Sequence, residues 1–389
     1  TFLLINAIGA VVAYLVSGPI IDRIGKKVAL TFGTSLVIVS LIALAATVSK
    51  VSPTSALLYV FTCSLLLGLG ANAIVAAGHA LVADVAASWR NAALNLLDIC
   101  FGLGLASLPL FVQSLQRRAG LSSIFLMLSG LSIVLLLLVA FSRFPNSSHP
   151  DSSPVGAAGS LFRNPSFVLL ASALFMYVGA EVSVGKWVVT FMERDPRILT
   201  SYGLTTDHVA SFANMSPEML SRFFETEAVG ISIASYALTT LTLFAMALLV
   251  GRLVSSFVLG VLHVNSYLLI TLGSLLTTIS LIVAFTASSS GAVRLGLIAA
   301  GFGMGPAFPT SVGLASVMMP RIAGTAMSLV MGLGFAGLLV IPPAVGYISS
   351  AVGGTAGDVR SGLMVVIAAC VLMLILHALL LLREHRGRR

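Results

Sequence analysis

Apolar runs long enough to cross a lipid bilayer recur along almost the whole chain. A spanning helix needs about 20 predominantly apolar residues, and eleven segments approach or exceed that length. They cover approximately residues 1–17, 28–48, 55–82, 91–112, 122–141, 165–192, 227–250, 264–287, 292–316, 324–348 and 362–382. Only 9% of the residues are charged, against about 25% in a soluble domain. The sequence therefore excludes a soluble fold and predicts an all-α membrane protein with eleven visible spans.

A short basic segment, GPIIDRIGKK, joins the first two predicted spans. Gly18 allows two backbones to approach closely, and Gly25 permits a tight turn. Asp22 stands where a helix is about to begin, and the helix dipole favours a carboxylate there. Arg23 and Lys26 concentrate positive charge on one side of the membrane, which predicts that this loop is cytoplasmic.

The spacing Gly-x-x-x-Asp-Arg-x-Gly-Lys-Lys resembles the loop between the second and third helices of the major facilitator superfamily of transporters; an ordinary positive-inside loop is the alternative. The resemblance implies two six-helix bundles that rock about a site at the membrane midplane. Because the motif follows the first span of this chain, it also implies that helix 1 of twelve is missing here. Loops placed inside by this topology, including the one assigned to Arg252, carry more basic residues than the loops placed outside.

Two polar segments divide the chain. Residues 142–164 are rich in Ser, Pro and Gly, which is typical of a flexible linker. We expect this cytoplasmic linker to separate an N-terminal bundle, 1–141, from a C-terminal bundle, 165–389. The second polar segment, 193–226, is predicted to be a long external loop, part of which forms a short interfacial helix.

Amides and a carboxylate share one face of the predicted span 91–112. Asn91, Asn95 and Asp98 follow helical spacing, and an ionised Asp facing lipid costs at least about 3 kcal/mol. Asn72 and His79 lie on the preceding span. We expect Asn72, Asn95 and Asp98 to contact substrate, with Asp98 accepting hydrogen bonds from hydroxyls or carrying a proton. The alternatives are a structural polar seam and, for His79, either an interhelical histidine or a residue with a role in coupling.

A second carboxylate, Glu181, lies near or beyond the middle of the span 165–192. An ionisable residue at that depth is a functional candidate by default, and Tyr177 is its neighbour at i−4. We therefore predict that Tyr177 and Glu181 contact substrate and that Glu181 takes part in proton coupling. Two later segments, 301–310 and 331–347, are dense in Gly and Pro, which permit bends in moving helices.

Within the superfamily, several stretches resemble the fucose–proton symporter and its related sugar transporters. They are YVGAEVSVGKW, RNAALNLLDICFGLG and PPAVGY. The fucose group has a coupling acid shortly after a Gly-Leu-Gly run, whereas this chain reads Gly-Leu-Gly-Ala-Asn-Ala at 68–73. Where that group has a glutamine in the fifth helix, this chain has Asp98. The resemblance therefore leaves Asp98 and Glu181 as the acids able to couple protons.

These observations together predict a secondary transporter that works by alternating access. The expected solute is small and polar, a sugar, and the expected coupling ion is a proton or sodium ion. The predicted cytoplasmic gate consists of Gly18, Asp22, Arg23, Gly25, Lys26 and Arg90. No cofactor, metal site, nucleic-acid partner or enzymatic activity is expected, and the chain is expected to act as a monomer. The alternatives are an exporter of amphipathic compounds and a non-transporting membrane sensor or partner protein. The membrane is the plasma or inner membrane, or that of an organelle.

Overall fold

A computed structural model of the chain describes residues 2–50, 53–144, 159–205, 207, 209, 217–353 and 358–387. Over these ranges the regular elements are helices. The α-helices are α1 (Phe2–Arg23), α2 (Lys26–Lys50), α3 (Pro53–Val85), α4 (Arg90–Phe141), α5 (Pro165–Arg194), α6 (Pro196–Ser201), α7 (Pro217–Thr226), α8 (Ala228–Gly260), α9 (Ser266–Thr286), α10 (Ser290–Met304), α11 (Ala307–Met318), α12 (Ala323–Ala336), α13 (Ile341–Gly353) and α14 (Val359–Gly387).

The predicted spans fall on these helices. Among the described residues, nine helical segments are long and apolar enough to cross a membrane. The two remaining predicted spans, 1–17 and 91–112, lie on α1 and on the first part of α4. Helix α4 is interrupted at Gly120, whose φ of 71° is not helical, so this one element covers two predicted spans. The prediction of eleven spans therefore agrees approximately with the structure.

The Gly- and Pro-rich segments interrupt two spans. Helices α10 and α11 are separated at Gly305 and Pro306. Helices α12 and α13 are separated by a short 3₁₀ turn, Gly337–Leu339. A span can break in this way where neighbouring groups satisfy the freed backbone. The breaks fall in the two Gly- and Pro-rich segments, and bending of these helices during movement stays a prediction.

The contacts group the chain into two compact units. The first contains residues 1–171, 256–263 and 309–336, and the second contains 172–255, 264–308 and 337–389. In the first unit, α1 packs against α3 and α12, while α2 packs against α3 and α4. In the second unit, α9 packs against α10 and α14, and α13 packs against α14. The proposed linker at 142–164 lies largely outside the described residues, and the two-bundle division at that linker stays a prediction.

The predicted external segment is partly helical. It contains α6 and α7, whereas residues 206, 208 and 210–216 lie outside the described part of the chain. Aromatic side chains of this region pack on a buried cluster of the second unit formed by Leu199, Val209 and Ile233; they include Tyr202, Phe223 and Phe224. Phe223 and Phe224 of α7 therefore pack on protein, while Met219 is exposed, and the interfacial position of this helix stays a prediction.

Candidate functional site

The turn between α1 and α2 is shorter than the sequence predicts. Helix α1 continues through Arg23, so most of the predicted loop is helical. The continuation is stabilised by packing, because Ile21 and Asp22 lie directly against Gly324 at the start of α12. Only the turn itself is left to Gly25, whose φ of 110° suits glycine. Gly18 also behaves as expected, since a Cβ there would lie 2.7 Å from the Cα of Thr325.

Asp22 occupies the N-terminus of α12 rather than that of α2. Its carboxylate accepts hydrogen bonds from the backbone N–H of Gly324 at 2.9 Å and of Thr325 at 2.7 Å. The Thr325 hydroxyl donates a third bond at 2.6 Å. These backbone groups have no partner within their own helix, and the helix dipole favours an anion there. Burial raises the pKa of the Asp22 carboxyl, and the bonds from Thr325 and Gly324 oppose that rise.

The remaining residues of the predicted gate divide into two groups. Lys26 is buried and pairs with Asp84 at 2.5 Å, and Arg90 donates to the carbonyl of Ala83 at 2.9 Å. Both bonds therefore tie the start of a helix to the end of α3. Arg23 is exposed and does not join this group. A small cavity of about 40 Å³ next to the pair is lined by Asp22, Lys26, Asp84 and Arg321, among others.

Asp98 pairs with His79 inside the first unit. Each residue is 4% exposed, and Nε2 of His79 lies 3.0 Å from Oδ1 of Asp98. The other ring nitrogen, Nδ1, lies 2.8 Å from the carbonyl oxygen of Val75. Tyr14 on α1 is also buried and interacts electrostatically with Asp98. The carboxylate on α4 is therefore held by a histidine on α3, near a tyrosine on α1.

Asn95 lies on the same face of α4 and is fully buried. Its amide nitrogen donates to the carbonyl of Asn91 at 2.7 Å and to the hydroxyl of Thr310 at 3.2 Å. Asn72 is half-buried, and its amide donates to Gly68 of its own helix at 2.7 Å. The described hydrogen bonds thus connect Asn95 to α11, whereas the one bond given for Asn72 stays within α3.

Tyr177 and Glu181 belong to the second unit, where a cation accompanies them. Tyr177 is fully buried, and its hydroxyl lies within electrostatic reach of both Glu181 and Arg252. The sequence prediction that Arg252 sits in a cytoplasmic loop is wrong. Helix α8 runs on to Gly260, and Arg252 is a buried residue within it. Next to Arg252 the backbone of α8 packs closely on α10, because a Cβ at Gly251 would lie 2.2 Å from the carbonyl oxygen of Phe302.

A separate ion pair, between Asp195 and Arg360, lies next to α6 in the second unit. Asp195 caps α6 by accepting from two backbone N–H groups, those of Arg197 and Ile198. Arg360, at the start of α14, donates to both carboxylate oxygens of Asp195, at 2.6 and 2.9 Å. The same guanidinium donates to the carbonyl of Ala287 at 2.8 Å. One arginine therefore ties together the ends of α5, α9 and α14.

Sequence reasoning missed three partners in these sites. It named Asp98 but did not connect it with His79, although His79 lies six residues before the end of α3 and Asp98 lies eight residues after the start of α4. It gave no role to Thr310. Arg252 was assigned to a loop because the apolar run ends near it, while the helix continues. The useful signal was the presence of ionisable residues of opposite charge in the apolar segments. Such residues pair with one another when they are buried, so each one indicates a partner on another helix.

The family comparison decides which class of protein this is. The model of the Major Facilitator Superfamily matches residues 2–203, just over half of the chain. The chain belongs to the major facilitator superfamily. It is therefore a multi-pass integral membrane protein of a family of transporters, as the basic turn and the apolar spans indicate.

One curated relative is similar over part of its length. Bypass of stop codon protein 6 of Saccharomyces cerevisiae is 25% identical over 293 residues, which cover 66% of this chain and 56% of that protein. The matched part thus spans little more than half of the relative.

Solved structures share the fold at low identity. The E. coli fucose:proton symporter FucP is similar with a TM-score of 0.74 at 15% identity, covering 97% of this chain and 90% of that one. A bacterial homologue of the iron transporter ferroportin gives 0.69 at 15% identity, with 97% and 89% covered. The human organic anion transporter MFSD10 gives 0.66 at 16% identity, with 96% and 83% covered. At such identities the likeness shows the fold alone.

Proposed function

We propose that this chain moves a small polar solute, a sugar or polyol, across its membrane by alternating access. The supporting observation is a set of buried polar atoms without hydrogen-bond partners among the described residues of the first unit. They include the side-chain oxygen of Asn95 and the hydroxyl of Tyr14. A buried polar group without a partner costs about 1–3 kcal/mol. A hydroxylated solute, or water that the solute displaces, offsets that cost.

The proposed solute contacts are Asn72, Asn95 and Asp98 in the first unit, and Tyr177 and Glu181 in the second. Amide and carboxylate oxygens accept from solute hydroxyls, while amide N–H and tyrosine O–H groups donate to solute oxygens. Their polarity favours a polar solute over an amphipathic one. In the same proposal, protonation of Asp98 or Glu181 couples the proton gradient to movement of the solute.

The proposed gate on the cytoplasmic side consists of the contacts of Asp22, Lys26 and Arg90, with Gly18 and Gly25 setting the backbone. Capping of α12 by Asp22 is reversible, because water can replace each acceptor bond when the contact opens. Gly18 allows this contact, since any side chain there would separate α1 from α12. We place Arg23 among the gate residues as a source of positive charge on that surface.

Ligand-dependent thermal stabilisation of the purified full chain tests the choice of solute. A ligand at 100 times its Kd stabilises by about 2.7 kcal/mol, which raises Tm by about 3 °C for a chain of this length. We expect such a shift with a member of a panel of hexoses, 6-deoxyhexoses and polyols. Amino acids and lipophilic cations in the same panel are expected to give none.

Matched variants locate the effect. Asn95→Ala is expected to lose the sugar-dependent shift, whereas Thr242→Ala keeps it, because the Thr242 hydroxyl lies on an exposed face and bonds its own helix. A shift with lipophilic cations alone would replace the proposal with export of amphipathic compounds. No shift with any small molecule would favour a non-transporting sensor or partner protein.

A further inference from the structure

The hydrogen bonds around His79 determine how many protons it shares with Asp98. The carbonyl oxygen of Val75, 2.8 Å from Nδ1, only accepts hydrogen bonds. Nδ1 must therefore carry a hydrogen and donate it. In a neutral histidine the other nitrogen, Nε2, is then a bare acceptor.

Nε2 faces Oδ1 of Asp98 at 3.0 Å. A bare nitrogen opposite an ionised carboxylate would place two acceptors against each other with no hydrogen between them. The contact is a hydrogen bond only when one proton is present, either on Nε2 with an ionised carboxylate or on a neutral carboxyl group. In both cases the pair has gained one proton relative to neutral histidine and ionised aspartate.

Burial strengthens this requirement. Each residue is 4% exposed, and an isolated charge at membrane depth is costly. With the shared proton the pair has no net charge, and without it the pair carries one negative charge. The Tyr14 hydroxyl from α1 is a further titratable group that faces Asp98, and it brings no positive charge that would replace the proton.

Glu181 lies in a different electrostatic setting. The cation Arg252 and Glu181 both lie within reach of the hydroxyl of Tyr177, and Arg252 is buried in α8. A guanidinium stays charged at all physiological pH values, so a permanent cation acts on the same tyrosine as Glu181. The hydrogen-bond geometry therefore concerns Asp98, whose carboxylate oxygen lies 3.0 Å from a ring nitrogen of His79.

We propose that the His79–Asp98 pair is the proton-binding site of this transporter. The inference rests on the proposed function for its coupling role. When α3 and α4 are packed as described, the pair holds one proton. When Asp98 exchanges His79 for water or a solute hydroxyl, Nε2 of His79 loses its acceptor, and the proton leaves to water as the pair separates.

Nitrogen-15 NMR of the full chain, labelled at histidine, tests the proton-binding step without any solute. In the wild type at neutral pH we expect Nε2 of His79 either to carry a hydrogen or to accept one from a protonated Asp98. In Asp98→Asn we expect Nε2 to carry no hydrogen. His377 is the matched reference, because it is also buried but contacts the Ser274 hydroxyl, at 2.7 Å. A His79 signal that is the same in the wild type and in Asp98→Asn would overturn the proposal.

Uptake into proteoliposomes tests the coupling step. Use of one proton per solute concentrates a neutral sugar by up to about tenfold per pH unit. We expect His79→Gln to abolish this gradient-driven accumulation, while His377→Gln, a substitution at a buried histidine outside the proposed solute and proton sites, retains it. Accumulation that survives in His79→Gln, or a wild type that exchanges sugar but ignores the gradient, would overturn the inference. A wild type that exchanges no sugar at all would instead reject the proposed function.

Discussion

Removal of the Asp22 carboxylate is expected to weaken the contact between α1 and α12 selectively. In Asp22→Ala the N-terminus of α12 loses the acceptor of three hydrogen bonds that Gly324 and Thr325 donate. Loss of an N-cap costs about 0.5–2 kcal/mol, and a hydrogen bond to a charged group contributes about 1.5–3 kcal/mol. Asp22 is half-buried, so water replaces part of the loss, and we expect a net cost of about 2 kcal/mol. That corresponds to a decrease in Tm of about 2–3 °C for a chain of this length.

The assay is thermal unfolding of the purified chain in one detergent, followed by circular dichroism. Arg23→Ala is the matched control, because Arg23 is the exposed neighbour in the same helical turn. Thr325→Val removes only the hydroxyl that donates to Asp22. In a double-mutant cycle we expect the two substitutions to be less than additive, since they remove the same bond. Equal Tm values for Asp22→Ala and Arg23→Ala, or fully additive effects, would refute the capping contact.

Three further substitutions, one of them with a matched control, test packing and charge. Gly33→Val is expected to destabilise the protein by at least about 1–3 kcal/mol, because its Cβ would lie 2.8 Å from a carbonyl oxygen of α3. Gly78→Ala is the control: open space surrounds Gly78, so we expect no loss of Tm in the same thermal unfolding experiment. Gly25→Ala is expected to cost about 1–2 kcal/mol, since φ there is 110°, and an unchanged Tm would contradict that strain. Arg360→Met leaves the Asp195 carboxylate buried without its cation, so the free energy of unfolding is expected to fall by about 3–5 kcal/mol. A Tm equal to that of the wild type would show that the ion pair is dispensable for stability.

The all-helical fold was largely predictable because its signal is local. Runs of about 20 apolar residues specify spanning helices, and the spacing of Gly18 and Gly25 predicted a close approach and a turn that the structure contains. The ends of the helices were less predictable. Helix α1 continues to Asp22 and Arg23, where the Asp22 carboxylate accepts hydrogen bonds from α12. Helix α8 continues through the buried Arg252 to Gly260. Hydropathy contains no information about such partners.

The candidate site was predictable as a set of residues and not as a set of contacts. Helical spacing placed Asn95 and Asp98 on one face of a helix, as the structure shows. The partners of these side chains come from other segments, Thr310 from α11 and His79 from α3, and no periodicity within one helix can identify them. The roles proposed for Asn72 and Glu181 remain predictions from depth and polarity alone.

Counterflow is the most direct measurement of whether this chain moves a polar solute. Proteoliposomes are loaded with an unlabelled sugar that raises Tm, then diluted into the same radiolabelled sugar without a pH gradient. The account predicts a transient accumulation of label inside the vesicles, which Asn95→Ala reduces by roughly tenfold, the equivalent of one lost hydrogen bond. Label that enters no faster than it enters protein-free liposomes, for every sugar and polyol of the panel, would contradict the account.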